Sequence, residues 1–289
     1  MNTKFEQIIV LGSGAFATSC INYLIQFDLP IIIYESNTTM ISNLENIAVN
    51  NNIQYINLEK RELFHSISSV RKKSLMFLLG CNYLIPSEVV SNKYLSIVNY
   101  HNSLLPKHRG RNAEAWAIYE QDNTTGITWH FVDGGIDTGD IIIQEEVVID
   151  EKMSSLSLLK LQNQIALDKF KEILFELLEE RSNHVNQDVD IKYKLHLSKD
   201  IPNGGFLNTE WNIDKIGAFL KSMDYGALRV MGHPKIRLND KIFVWKKAIF
   251  IDTDVESYNV IYNKEEDYIT INKGKKAVKL ISVKVFGGF

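Results

Sequence analysis

"EQIIVLGSGAFATSCINYLIQF", residues 6–27, decides the fold. An unbroken apolar run, IIVL, enters a turn that bears glycines, and apolar residues at helical spacing follow it. A strand apolar on both of its faces is one covered on both faces, which is the habit of a parallel sheet. The pattern recurs. "LPIIIYE" reads as a second strand, "NIQYINL" as a weaker third, "SLMFLLG" as a fourth and "LSIVNYH" as a fifth, with helical stretches between most of them. The sequence therefore predicts the α/β class: a Rossmann-like, mostly parallel sheet with helices on both faces.

Downstream, "NAEAWAIYEQ" reads as a helix, and "GITWHFVD" and "DIIIQEEVVI" as a strand pair joined by "GGIDTG". A long helix begins near Ser154, and the polar, irregular "RSNHVNQDVD" reads as a linker. Beyond about residue 200, one helix precedes several short strands, a pattern that suggests a small β-rich domain of barrel type, with Phe243, Trp245 and Tyr268 as core or contact residues. At 289 residues the chain is long for one core. Two domains are expected, over residues 1–185 and 200–289.

Composition sets outer bounds. Hydrophobic residues at 45% and charged residues at 23% are ordinary for a globular chain. A net charge of -3 gives no general affinity for nucleic acid and no polybasic contact with a membrane. No apolar run approaches the roughly 20 residues of a membrane span. "MNTKFEQ" leads at once into a strand, with no secretory signal expected. Cys20 and Cys81 sit in apolar surroundings and are expected free and buried, which suits a reducing cytoplasm.

Two features suggest chemistry. "GSGAFA" fits G-x-G-x-x-A from Gly12, and Glu35 ends the next strand. That is the shape of a dinucleotide fingerprint, with a nicotinamide oxidoreductase as its consequence. The other reading is that small residues let neighbouring elements pack closely, and an isolated glycine pattern is weak. The second feature, "NYHNSLLPKHRG" (residues 99–110), is stronger. Side chains alternate along a strand, so Asn99 and His101 share a face, at the carboxyl end where ligands of open parallel sheets bind. Asp133, Asp137 and Asp140 lie in "FVDGGIDTGD", whose glycines let the backbone bend back toward the strand ends. An amide, an imidazole and a carboxylate suit attack on a carbonyl by a nucleophile that the substrate brings. No nucleophile elbow is present, and the spacing is not that of metal ligands. Capping of strand ends and shaping of a turn are the structural alternatives. His108, past the proline-bearing turn, is expected at the surface.

"NYHNSLLPKHRG" followed by "GITWHFVDGGIDTGDIIIQ" resembles the folate-dependent formyltransferases, which include glycinamide ribonucleotide transformylase, methionyl-tRNA formyltransferase and the sugar-nucleotide N-formyltransferases. The resemblance is strong over about residues 70–180 and looser over the N-terminal strands. It implies the formyltransferase fold, Asn99, His101 and Asp137 as the catalytic set, 10-formyltetrahydrofolate as donor and a primary amine as acceptor. It also implies that "LLGCNYLIP" (residues 78–86) lines the pterin pocket, with Leu79, Tyr83, Leu84 and Ile85, and that Asp133 and Gly134 form the other wall. For the acceptor, "AWAI", "GITWHF" and "SMDYGALRVMGHPKI" resemble enzymes of amino-acid and peptide assembly, so a small-molecule amine, carrier-linked or nucleotide-linked, is expected. An amino-sugar nucleotide, initiator tRNA and water are the alternatives. The mixed charges of the tail offer tRNA no polycationic face. An oligomer is compatible with the sequence.

Overall fold

The computed structural model describes residues 3–36, 42–187 and 193–286. They divide into two compact units that are discontinuous in sequence: residues 1–110, 126–147 and 160–195, and residues 111–125, 148–159 and 196–289.

The first unit is built on a seven-stranded sheet of order β3-β2-β1-β4-β5-β6-β7. β1 (Gln7–Gly12), β2 (Ile31–Ser36), β3 (Gln54–Leu58), β4 (Ser74–Leu79) and β5 (Leu95–His101) run parallel; β6 (Thr124–Phe131) is antiparallel to β5, and β7 (Ile141–Val148) closes the edge. α1 (Gly14–Leu24), α2 (Leu44–Asn50), α3 (Lys60–Ser68) and the one-turn α4 (Ser87–Val90) supply the connections. The α/β expectation is thus met, and the continuous apolar strands are explained by two cores. One face of β1 and β2 carries Ile8, Val10, Ile31 and Ile33 into a cluster with Ala17, Cys20 and Ile21 of α1, while Ile9, Leu11 and Tyr34 enter a second cluster with Leu63, Phe64 and Ile97. Past β7, α6 (Ser155–Leu178) brings Phe170 edge-on to Phe77 at 5.0 Å, and its Ala166 carbonyl accepts the indole N–H of Trp129 at 3.0 Å. Both cysteines are free; Cys20 is buried as expected, whereas Cys81 is half-exposed because the chain leaves β4 at Gly80 with φ 71°.

The second unit contains α5 (Ala113–Tyr119), α7 (Ile213–Ser222) and seven strands: β8 (Phe206–Leu207), β9 (Lys235–Leu238), β10 (Lys241–Val244), β11 (Lys247–Ser257), β12 (Val260–Asn263), β13 (Tyr268–Ile281) and β14 (Lys284–Val285). They pair as a four-stranded and a three-stranded sheet. Phe219, Phe243, Trp245 and Leu280 share one core, while Tyr268 is half-buried. The apolar stretch 241–251 forms two strands, β10 and β11, interrupted at Trp245–Lys246. Of the stretch read as a linker, residues 188–190 lie outside the described residues. Among the described residues no helix is long and apolar enough to cross a membrane.

The glycine turn now has a physical explanation. A Cβ on Gly12 would stand 2.0 Å from the Leu79 carbonyl oxygen, and the Ser13 N–H donates to that same oxygen at 3.1 Å. Gly12 is therefore glycine so that β1 and β4 can meet where they end. Gly14, at φ 79°, has open space where its Cβ would be. Gly12→Ala should accordingly cost several times the roughly 1 kcal/mol expected of Gly14→Ala from its left-handed backbone alone. Urea denaturation of the two variants checks this, and equal costs would remove the strand-contact explanation.

Candidate active site

The ladder sets Asn99 between Leu78 of β4 and His130 of β6, and sets His101 opposite Thr128. Both side chains point to the face that carries Ile97. The chain then doubles back through residues 102–110, and neutral hydrogen bonds fasten this turn. Thr128 Oγ1 donates to the Ser103 carbonyl at 2.6 Å and accepts from the Leu105 N–H at 3.2 Å and from Gln144 Nε2 at 2.9 Å. Gln144 also donates to the Leu105 carbonyl, and Gln162 to the Asn102 carbonyl at 2.8 Å. Ser103 is buried and its hydroxyl donates to the Lys107 carbonyl at 2.6 Å, so its proton is directed at a main-chain oxygen and not at a base.

This turn places a main-chain carbonyl against the imidazole. His101 Nε2 lies 2.9 Å from the His108 oxygen. A carbonyl only accepts, so Nε2 carries the ring proton of the neutral form and donates it there, and Nδ1 faces Asp137 Oδ2 at 3.5 Å. His108 itself corrects the surface expectation. It is buried, at φ 54°, because its backbone must turn inward to present that oxygen.

Asp137 is the common neighbour. Its Oδ2 accepts the Gly110 N–H at 2.8 Å; its Oδ1 lies 3.5 Å from the Asn99 amide nitrogen and 3.6 Å from His130 Nε2. The three residues expected to act together, Asn99, His101 and Asp137, are therefore brought together. A fourth, His130, joins them without having been picked out in the sequence. Its Nδ1 donates to the Phe131 carbonyl at 2.7 Å, which leaves Nε2 to accept from Asn99 at 3.1 Å. The signal for it was present: once β6 pairs with β5, the alternation that links Thr128 to His130 aims the second ring at the Asn99 side.

Burial dominates the titration of this cluster. Desolvation pushes the His101 imidazole down, against the opposing pull of the Asp137 charge and the His108 carbonyl. Burial would raise the Asp137 carboxyl, but His101, His130 and the Gly110 N–H together hold it well below the usual carboxylate range. The resting pair at neutral pH is a neutral imidazole beside an ionised carboxylate.

The two expected walls of the folate pocket rest on one apolar cluster. Tyr83, Ile85 and Val132 all pack against the core that contains Leu78 and Ile97, on the Asn99 side of the sheet. Leu84 is 66% exposed, an apolar side chain offered to a flat ring, and the backbone of 80–86 lies outside the sheet ladder. These features fit a pterin. Leu79 does not serve as a side-chain contact, since it is fully buried in the core. On the other wall Asp133 closes its own turn, its Oδ1 accepting from the Gly135 N–H at 2.9 Å and the Thr138 hydroxyl at 2.6 Å, while Gly134 is exposed.

An amide donor, an imidazole and a carboxylate converge at a strand end, an arrangement suited to group transfer at a carbonyl. Residues 23–172 match the model of the formyl transferase family, and the chain belongs to that family as a formyltetrahydrofolate-dependent formyltransferase. It is 25% identical over 222 residues to the GDP-perosamine N-formyltransferase of Brucella melitensis, covering 75% of this chain and 84% of that one. It is 24% identical over 281 residues to the methionyl-tRNA formyltransferase of Clostridioides difficile, covering 92% and 88%. In structure it is similar to an N-formyltransferase from Helicobacter canadensis solved with folinic acid and dTDP-3-aminofucose, with a TM-score of 0.74, 16% identity, and 97% and 99% of the two chains covered. The nicotinamide reading of the glycine turn is thereby overturned.

Removal of the Asp137 charge tests the electrostatics directly. That charge works to hold a proton on His101. In Asp137→Asn the imidazole should therefore titrate at lower pH than in the wild type, as read by imidazole nitrogen NMR. An upward movement would mean that the two groups are not coupled as described.

Proposed function

We propose that the protein moves the formyl group of 10-formyltetrahydrofolate to the primary amine of a nucleotide-linked amino sugar. The convergence of Asn99, His101 and Asp137 carries the chemical part of this reading. The acceptor rests on the relatives, one acting on GDP-perosamine and one solved with a dTDP-linked amino sugar. The expected acceptor from amino-acid or peptide assembly has no support among them.

The donor supplies a formyl carbon that an amine can attack, and the chain's own groups do the rest. Asn99 presents two amide hydrogens. One donates to His130, and the other makes only the 3.5 Å contact with Asp137, at the outer limit of a hydrogen bond. That second hydrogen is the one free to shorten onto the oxygen as it becomes negative. His101 is neutral at rest, with Nε2–H committed to the His108 carbonyl, so Nδ1 is the position that takes the amine's proton. The resulting imidazolium lies between the His108 oxygen and the Asp137 carboxylate, two acceptors that favour it, and it would return the proton to the folate nitrogen as the bond between that nitrogen and the formyl carbon breaks, so that tetrahydrofolate leaves as a neutral amine and the imidazole is restored. Asp137 thus stays ionised throughout and lowers the cost of the proton's arrival.

Incubation with 10-formyltetrahydrofolate and GDP-, UDP- or dTDP-linked amino sugars should yield a formamide detectable by mass spectrometry. Asn99→Ala and His101→Ala should each lower kcat on the order of 100- to 1000-fold while near-wild-type melting is retained. Formylation of methionyl-tRNA alone, the reading favoured by the second relative, would replace the acceptor but leave the chemistry. Full activity in either variant would remove the assignment of the residues.

A further inference from the structure

The turn that carries His101 back to Asp137 also carries a cation whose charge is not answered. Lys107, Arg109 and Arg111 cluster in "PKHRGR". Lys107 and Arg111 have partners. Arg109 is only partly exposed, its Nε is buried with no hydrogen-bond partner, and its guanidinium forms no ion pair among the described residues. Partial burial of a guanidinium has a desolvation cost, and no ion pair among the described residues offsets it. Arg109 immediately precedes Gly110, whose N–H is held by Asp137, so its backbone is fixed at the edge of the catalytic cluster.

We infer that Arg109 is an anion-binding residue of this site, and that the anion is the diphosphate of the acceptor. The inference rests on the nucleotide-sugar reading above. A guanidinium presents a planar fork of donors that matches phosphate oxygens two at a time, and it stays charged at any working pH. A diphosphate so held would fix the acceptor through a part that does not react, and leave the amine to approach Asn99 and His101. The same fork matches a carboxylate, and the folate donor carries carboxylates on its glutamyl tail. The two sources of anion are separable by experiment.

Binding of GDP, UDP and dTDP, of the corresponding nucleosides and of tetrahydrofolate is measured by calorimetry on wild type, Arg109→Gln and Arg109→Lys. Arg109→Gln should weaken binding of the preferred diphosphate about 10- to 100-fold, with nucleoside and tetrahydrofolate binding unchanged. Arg109→Lys should fall between, since it keeps the charge and loses the fork. If Arg109→Gln does not fold, the lysine variant still decides, because it must weaken the diphosphate and spare the folate. Weakened tetrahydrofolate binding with intact diphosphate binding would assign the guanidinium to the donor and overturn the inference. Unchanged binding of both would overturn it too. A wild type that binds none of the diphosphates would instead remove the nucleotide-sugar acceptor, and the inference with it.

Discussion

The Asp137 carboxylate is the contact on which the site depends. It sits at φ 52°, a left-handed backbone that Asp adopts more readily than most residues, and this turns its side chain inward from the 133–140 loop. There it receives the Gly110 N–H from the other loop, and it faces both imidazoles and the Asn99 amide. A single, mostly buried charge thus joins the chain after β5 to the chain after β6. Such a charge is tolerable only because each of its oxygens has a donor or a potential donor in reach.

Neutral hydrogen bonds do the complementary work. Thr128, Gln144 and Gln162 satisfy the carbonyls of a turn that leaves a buried strand with no ladder to continue. Because that turn is fixed by groups that do not titrate, the His108 oxygen keeps its place while His101 gains and loses a proton. The cost of the turn is that His108 cannot remain outside, and this is why a histidine flanked by lysine and arginine is buried.

The sequence-to-structure relation is uneven for physical reasons. Strands β1, β2 and β4 are legible because burial on both faces leaves an apolar run. The Asn99–His101 pair is legible because alternation alone puts the two on one face. His130 follows the same rule, but its direction has meaning only after the β5–β6 register is known. His108 is beyond local reading, since the turn that holds it is bonded by Thr128, Gln144 and Gln162, which lie far along the chain. The glycine turn shows the opposite case. Its pattern is plain in the sequence, yet the same small residues serve nucleotide approach in one protein and strand approach in another; here the 2.0 Å conflict with Leu79 accounts for Gly12, and the family match removes the dinucleotide reading.

The charges of the site form a consistent whole. In the mechanism we propose, an ionised Asp137 beside a neutral His101 leaves the ring able to accept the proton that the amine must lose. Acidification disturbs both members in the same direction. A histidine held below its ordinary value is neutral in the fold and charged when unfolded, so its contribution to stability is present above about pH 6.5 and declines below it. A carboxylate held below its ordinary value contributes above about pH 4 and loses that contribution as the pH falls further. Acid therefore strains the site in two successive steps, first at the imidazole and then at the carboxylate. Burial, which keeps the imidazole neutral near pH 7, is also what makes it the first group to respond to acid.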